Sequence, residues 1–323
     1  MRDQLSFSQE TKPAGRNWGR DIGIGLGIGA VVIALAFGGE YALTHLKPPP
    51  PKVVAATSPT GAPLMWVLKD EDSTIYLFGS IHALMTGTKW ADTRLFQAFD
   101  TADEVYFEVK DLDGFSDGFR RRLMSSGGNI LTGLDETEVR QLQAFARAHE
   151  VTTDDLSRLK PWLVGMMIEG QQTGMTGMRG DKGVDYLLMT RAKTLGLPIR
   201  GMETPEQQLA YFLNLSDARS RDYLRQSLKA QVGGQLYHLV AAWQTGDEAL
   251  LARMIAADKA SDPALHQGLL VNRNTAWVRR IETMMAGEGH IFITVGAGHL
   301  VGEDSVITML RQRGFTVTRV DPS

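Results

Sequence analysis

The longest uninterrupted apolar stretch comes first in the chain. Residues 22–39 (IGIGLGIGAVVIALAFGG) carry no charge and reach the length of roughly 18–20 residues that spans a hydrocarbon core. Residues 48–63 (PPPPKVVAATSPTGAP) follow as a proline-rich stretch that stays extended and solvated, which predicts a spacer. The pattern then changes to that of a globular domain starting near Leu64. A β-branched and aromatic strand is predicted at residues 73–78 (STIYLF), running into Gly79-Ser80-Ile81-His82. A helix at 92–102, with Leu95, Phe96 and Phe99 on one face, and a strand at 104–109 (EVYFEV) come next. Near the C-terminus a strand at 290–295 (HIFITV) runs into Gly296-Ala297-Gly298-His299, followed by a helix at 303–313, Gly314 as its stop and a strand at 315–320.

Both ends of the domain therefore share one plan of strand, Gly-x-x-His, helix, strand. Two parallel strands would bring their histidine loops to the same edge of one sheet, where α/β proteins bind ligands. Between the ends, 3.6-residue periodicity predicts helices at 136–149, 161–172, 183–195, 205–213, 217–244, 248–257 and 263–285, interrupted by one strand at 198–201. The fold class expected is α+β: a small mixed β-sheet formed from both ends of the domain, with a large helical insert, preceded by one transmembrane helix.

Arg2, Lys12, Arg16 and Arg20 precede the apolar segment, whereas only Lys47 follows closely. The positive-inside rule then places the N-terminus in the cytoplasm and the main domain across the inner membrane, periplasmic or otherwise extracytoplasmic. A cleavable signal needs a small-x-small exit after its apolar core; here Ala34-Leu35-Ala36 lies inside the run, which favours an uncleaved anchor. The expected organisation is a cytoplasmic segment 1–21, a membrane anchor 22–39, a linker 40–63 and a domain 64–323.

Composition narrows the chemistry. The 323 residues contain no cysteine, which excludes disulfides, thiolate metal ligands and a thiol nucleophile. A formal net charge of −3, without a basic cluster interleaved with aromatics, argues against a nucleic-acid partner. No Gly-x-Ser-x-Gly, P-loop or His-Glu-x-x-His pattern occurs, and the GIGLGIG run at 23–29 belongs to the anchor.

A glycine after a strand lets the backbone turn sharply and leaves the following histidine in the loop. Two such motifs at matched positions make His82 and His299 candidate metal ligands. Imidazoles alone leave a divalent ion uncompensated, so carboxylates at strand ends matter. Glu108 stands in an otherwise apolar strand, where burial without a partner would be costly. Glu203, in Met-Glu-Thr-Pro, ends a strand before a helix and has an electrostatic role at the helix N-terminus as its alternative. Either could complete a two-His, one-carboxylate set, leaving the other as general base. Asp185, in the first turn of its helix, could provide another inward acid but reads first as stabilising the helix dipole; His45, His149, His238, His266 and His290 read as surface or satisfied core residues; and Met166, Met167, Met175 and Met178 read as core filling ahead of an adaptable peptide- or lipid-binding surface.

The segments YLFGSIHAL (76–84), GVDYLL (183–188), IRGMETPEQQL (199–209), LVAAWQTGD (239–247), LLVNRN (269–274) and VGAGHLVGEDSVITMLRQRGFTVTRV (295–320) together resemble the TraB/GumN family, in order from about residue 64 to the C-terminus. That family is related to the Tiki proteins, membrane-tethered metal-dependent proteases, and more distantly resembles erythromycin esterase and ChaN-like folds. The resemblance implies an active site of both Gly-x-x-His histidines and a glutamate, holding a divalent ion (Mn, Co or Zn). Carried onto this chain it implies His82, His299 and Glu203 as metal ligands, Glu203 and Glu108 as catalytic carboxylates, and a peptide or protein substrate. It also makes Arg273 a candidate substrate-binding residue for an anionic or carbonyl group, with a structural salt bridge as the alternative. The leading expectation is an extracytoplasmic metal-dependent peptidase. The alternatives are a non-catalytic envelope or polysaccharide-associated binding or accessory protein and, by distant fold analogy, haem or iron handling.

Overall fold

Strands β1 (Met65–Lys69), β2 (Ser73–Ser80), β4 (Glu104–Val109), β6 (Ile199–Glu203), β7 (Gly289–Gly296) and β8 (Val317–Arg319) form one six-stranded sheet in the order β6-β4-β7-β2-β1-β8. This is a computed structural model, and it describes residues 61–110, 117–125, 127–230 and 233–322. The predicted cytoplasmic segment and membrane anchor, and all but the end of the linker, lie outside the described residues. Among the described residues no helix is long and apolar enough to cross a membrane.

The sheet is mixed. β6, β4, β7 and β2 run parallel, and β1 joins antiparallel between β2 and β8. The apolar runs of β2 and β7 explain their central places, since strands covered on both faces have no need of alternation. Ile75, Leu77 and Phe78 in β2 and Phe292, Ile293 and Val295 in β7 are buried. The register pairs Gly79 with Val295 and Ser80 with Gly296, so the two Gly-x-x-His motifs leave the same edge of the sheet, as the repeated plan predicts, one residue out of step. A second ribbon of two short strands, β3 (Leu84–Met85) and β5 (Met178–Arg179), flanks the first histidine loop.

Helices from several parts of the chain cover the sheet, including Thr93–Asp100, Val184–Leu195, Asn272–Met285 and Val306–Gln312. The rest of the helical insert builds two further cores, one around Trp162 and Phe212 and one around Leu142, Phe145 and Leu224. The α+β class and the mixed sheet with a large helical insert thus hold, with β4 and β6 entering the sheet from between its ends.

Several expected elements are revised. The helix at 217–244 is two, Asp217–Lys229 and Gly233–Thr245, the second starting at the low-propensity pair Gly233-Gly234. The stretch 205–213 is likewise two short pieces, Pro205–Gln208 and Ala210–Leu213. The stretch 263–285 splits into Pro263–His266, a π turn at Gln267–Val271 and Asn272–Met285; π turns inside helices concentrate at functional sites. The last helix starts at Val306, capped by the Ser305 hydroxyl, because Ala297–His299 takes up a 3-10 turn and the chain bends before the helix begins. β6 extends to Glu203, which is therefore part of the sheet. β1, β3 and β5 have no predicted counterpart.

Candidate functional site

Above the carboxyl ends of the parallel strands, groups from β2, β4, β6, β7 and three helices, Val184–Leu195, Pro205–Gln208 and Asn272–Met285, meet. His82 lies two residues beyond β2. Its loop is clamped by the turn before the helix Val184–Leu195: Val184 N–H donates to the Ile81 carbonyl at 2.9 Å, and a Cβ at Gly183 would stand 2.0 Å from the His82 carbonyl oxygen. The same helix supplies Asp185, whose Oδ2 lies 2.6 Å from His82 Nδ1 while its Oδ1 accepts the Ser80 hydroxyl at 3.0 Å. Of the two readings of Asp185, the inward acid is the one observed: its carboxylate turns inward and holds the first histidine, over the dipole role favoured from the sequence.

His299 closes the 3-10 turn after β7. Its Nδ1 is 2.6 Å from Asn274 Oδ1, and Asn274 Nδ2 donates to the Asp304 carbonyl at 2.7 Å. Its ring packs on Trp277 with centroids 4.4 Å apart. Both imidazole Nε2 atoms point toward Glu108, each 3.8 Å from Oε1.

Glu108 is the centre of the group. Oε1 accepts the Gly296 N–H at 2.7 Å, and Oε2 accepts from Gln208 Nε2 at 2.9 Å and Arg273 Nη2 at 2.6 Å. A strand-end glycine is required here, because a Cβ at Gly296 would lie 3.1 Å from Glu108 Oε1, 3.5 Å from His82 Nε2 and 3.6 Å from the His299 ring. Glu203 takes its ion pair from Arg273: Nε donates to its two oxygens at 2.9 and 3.1 Å and Nη2 to Oε1 at 2.5 Å. Arg273 Nη1 donates to the Leu269 carbonyl, inside the π turn, at 3.0 Å and reaches His299 Nε2 at 3.1 Å. All five N–H donors of the guanidinium are thereby engaged within the protein. That geometry is the salt bridge left open by the sequence and leaves no spare donor for a substrate group.

These neighbours separate the two carboxyls. Burial alone would raise the Glu108 carboxyl, but Arg273, then His299, His82 and the Gly296 N–H, outweigh it and hold it well below the usual range. Burial raises the Glu203 carboxyl, only partly countered by Arg273, and ionised Glu108 raises it further. The histidines diverge too. Burial would lower His82, but Asp185 and Glu108 lift it to about 9, whereas burial and the Arg273 charge push His299 down to about 3.

The expected site residues are therefore together: His82, His299, Glu108, Glu203 and Arg273. Glu108, rather than Glu203, is the carboxylate beside both imidazoles. Asn274, Gln208 and Trp277 went unassigned in the sequence, although Asn274 and Gln208 fall inside the LLVNRN and IRGMETPEQQL segments.

Two imidazoles and a carboxylate are donor types that a divalent ion takes. His82 Nε2 is buried and has no hydrogen-bond partner, and both Nδ1 atoms are tied back, whereas His299 Nε2 accepts from Arg273 Nη1, a contact an ion there would have to displace. Two ligands about 2.0–2.2 Å from one ion stand roughly 3–3.6 Å apart, so the 3.8 Å spacings call for a small contraction. Among the described residues no group of three or more His, Asp or Glu side chains is placed to hold a metal ion as they stand.

Residues 64–319 match the model of the TraB/PrgY/gumN family. The chain is 25% identical over 243 residues to the uncharacterized protein YbaP of Escherichia coli (strain K12), a match covering 73% of this chain and 87% of that one. It is 24% identical over 308 residues to metalloprotease TIKI2 of Danio rerio, covering 76% of this chain and 58% of the relative. With metalloprotease TIKI1 of Danio rerio it shares 23% over 310 residues, 78% of this chain and 62% of the relative. No solved structure matches it.

Proposed function

Because this chain belongs to the TraB/PrgY/gumN family, we propose that it is a metal-dependent hydrolase of peptide bonds, tethered through residues 22–39 with residues 64–323 outside the cytoplasm. One observation carries the reading: two imidazoles from separate ends of the chain turn their Nε2 atoms to one ionised carboxylate, and one of those nitrogens is buried without a partner. The distant likeness to two metalloproteases supports hydrolysis and a protein substrate.

His82, His299 and Glu108 would hold the ion, with manganese, cobalt or zinc as the metals suited to nitrogen and oxygen donors. A divalent ion there supplies Lewis acidity toward a substrate carbonyl and lowers the pKa of a water. The protein's own residues divide the remaining work. Arg273 keeps Glu108 ionised, so that carboxylate stays a ligand, while the raised Glu203 carboxyl is the group suited to take and return a proton. The Gly296 N–H fixes Glu108 Oε1 in place. The buried Trp277 ring packs at a tilt against His299 and covers that side of the imidazole.

The test is elemental analysis and peptide cleavage on the full chain purified in detergent without chelator. Near-stoichiometric metal and cleavage, both lost in His82→Ala and His299→Ala, are expected. Cleavage that survives either substitution, or wild-type protein that takes up no manganese, cobalt or zinc on reconstitution, would sink the reading. The tether is tested separately: full-length protein should sediment with membranes, and protein lacking residues 1–60 should not.

A further inference from the structure

The two histidines are held from behind by chemically different partners, and those partners fix which nitrogen carries the inward-facing lone pair. Arg273 can only donate, so where its Nη1 reaches His299 Nε2 at 3.1 Å that nitrogen carries a lone pair. The proton of neutral His299 is then on Nδ1, directed at Asn274 Oδ1 2.6 Å away. The orientation of the Asn274 amide is itself fixed, because its Nδ2 donates to the Asp304 carbonyl at 2.7 Å, which leaves Oδ1 as the atom facing the ring. On the other side, Asp185 accepts from His82 Nδ1 at 2.6 Å, and its second oxygen is occupied by the Ser80 hydroxyl at 3.0 Å. Asp185 keeps the Nδ1 hydrogen in place in every state of that ring, so the nitrogen left free for a ligand is Nε2.

We propose that Asp185 and Asn274 are the positioning residues of this centre, locking both imidazoles with Nδ1–H turned away and Nε2 turned inward to one point beside Glu108. The inference rests on the metal-site reading above and extends it to residues that touch neither ion nor substrate. The two are not equivalent. Asp185 is a carboxylate oriented by a strand residue and strengthens the donor character of His82, whereas Asn274 is a neutral amide anchored to the Asp304 backbone and sets orientation without adding charge. Ring direction is fixed independently by the helix Val184–Leu195 on one side and the helix Asn272–Met285 on the other, each bringing its partner residue in its first turn.

Two readouts test this on the full chain in detergent micelles. The first is nitrogen and proton NMR of histidine-labelled, metal-free protein, where each short Nδ1–H contact gives a downfield, slowly exchanging proton. The second is the dissociation constant for zinc by competition with a chromophoric chelator. Asp185→Ala should erase the His82 signal while leaving that of His299, and Asn274→Ala should do the reverse; each should weaken zinc binding by about 10- to 100-fold. Asp185→Asn, which keeps the shape and an acceptor oxygen, should bind zinc between wild type and Asp185→Ala, a graded recovery that a merely structural role does not produce. Should Asp185→Ala not fold, as judged by circular dichroism, Asp185→Asn carries the test alone. Zinc affinity within twofold of wild type together with an unchanged Nδ1–H signal overturns the inference. Wild-type protein that binds no zinc, manganese or cobalt would defeat the metal-site reading, yet the Nδ1–H signals would still decide whether these two residues hold the rings.

Discussion

Arg273 is the cation on which the whole cluster depends, and replacing it by leucine gives a cost that follows from its neighbours. Glu108 and Glu203 each have side chains only 5% exposed, and both lean on the one guanidinium. With the charge gone, each carboxyl can escape an unpaired buried charge by taking a proton. That sets a ceiling: protonating a carboxyl of ordinary pKa ~4.3 at pH 7.5 costs about 4 kcal/mol, and at pH 5.5 about 2 kcal/mol. Glu203 is already raised in the wild-type protein, so Glu108, held low by Arg273, bears most of the loss. The sign follows. A depressed carboxyl contributes stability that is present above its unfolded pKa and is lost as pH falls, so the deficit of Arg273→Leu must shrink on acidification. Expected, then, is a loss of about 4 kcal/mol at pH 7.5, in line with the roughly 3–5 kcal/mol for removing one partner of a buried ion pair, falling to about half at pH 5.5. Guanidinium titrations at both pH values would measure it, with Arg273→Lys as a comparison that keeps the charge without the forked geometry. A deficit under about 1 kcal/mol at pH 7.5, or one equal at both pH values, refutes the reasoning.

Other substitutions probe the surroundings. Gly296→Ala puts a methyl 3.1 Å from Glu108 Oε1, an atom that cannot retreat because its carboxylate is held by Gln208 and Arg273; metal uptake measured by elemental analysis should drop while the melting curve shifts by only about 1–3 kcal/mol. Gly183→Ala sets a methyl 2.0 Å from the His82 carbonyl and must displace that loop, so the His82–Asp185 proton signal should vanish; an unchanged signal contradicts the clamp. In the metal-free protein the His299 ring, with its pKa near 3, should stay neutral from pH 8 to 5, while His82 stays charged up to about 9; ring-proton shifts that titrate near 6.5 for both would refute this. Far from the site, Glu169 is buried against the Ser227 and Tyr223 hydroxyls with no cation, and burial raises it to about 7. A raised carboxyl makes stability decline as pH climbs between about 4.5 and 7, so Glu169→Gln should match wild type near pH 4.5 and exceed it by up to ~3 kcal/mol at pH 8, read from denaturation midpoints.

The sequence carried the histidines and the sheet for one physical reason. Central parallel strands are continuous apolar runs, and the glycine that ends each run marks where the backbone leaves the sheet, so STIYLF and HIFITV announced both the strands and the level of His82 and His299. β1 was harder to see. MWVLK is a short apolar run next to a proline-rich spacer, and only its pairing with β2 and β8 makes it a strand. The two-residue strands β3 and β5 have no periodicity to read. The same limit divides the site residues. A buried glutamate in an apolar strand is visible as an expense the chain must offset, whereas Asp185 offered two readings and Asn274 none until the fold set an imidazole 2.6 Å from each.

What joins these observations is the way one arginine serves two carboxyls of opposite behaviour. Glu108 sits on β4 and Glu203 on the neighbouring parallel strand β6, with Val109 opposite Glu203 in the ladder, so the two acids reach the same edge one residue out of step. β4 lies between β6 and β7, so Glu108 meets the Gly296 N–H, Gln208 and both imidazoles, while Glu203, on the edge strand, has Arg273 as its hydrogen-bonding cation. One carboxyl is thereby kept ionised and the other made easy to protonate, which is the separation that ligand and proton-transfer roles require. That division of labour follows from strand order, because of the two strands only β4 stands beside the one that ends at Gly296 and leads into His299, while β6 has a neighbour on one side alone.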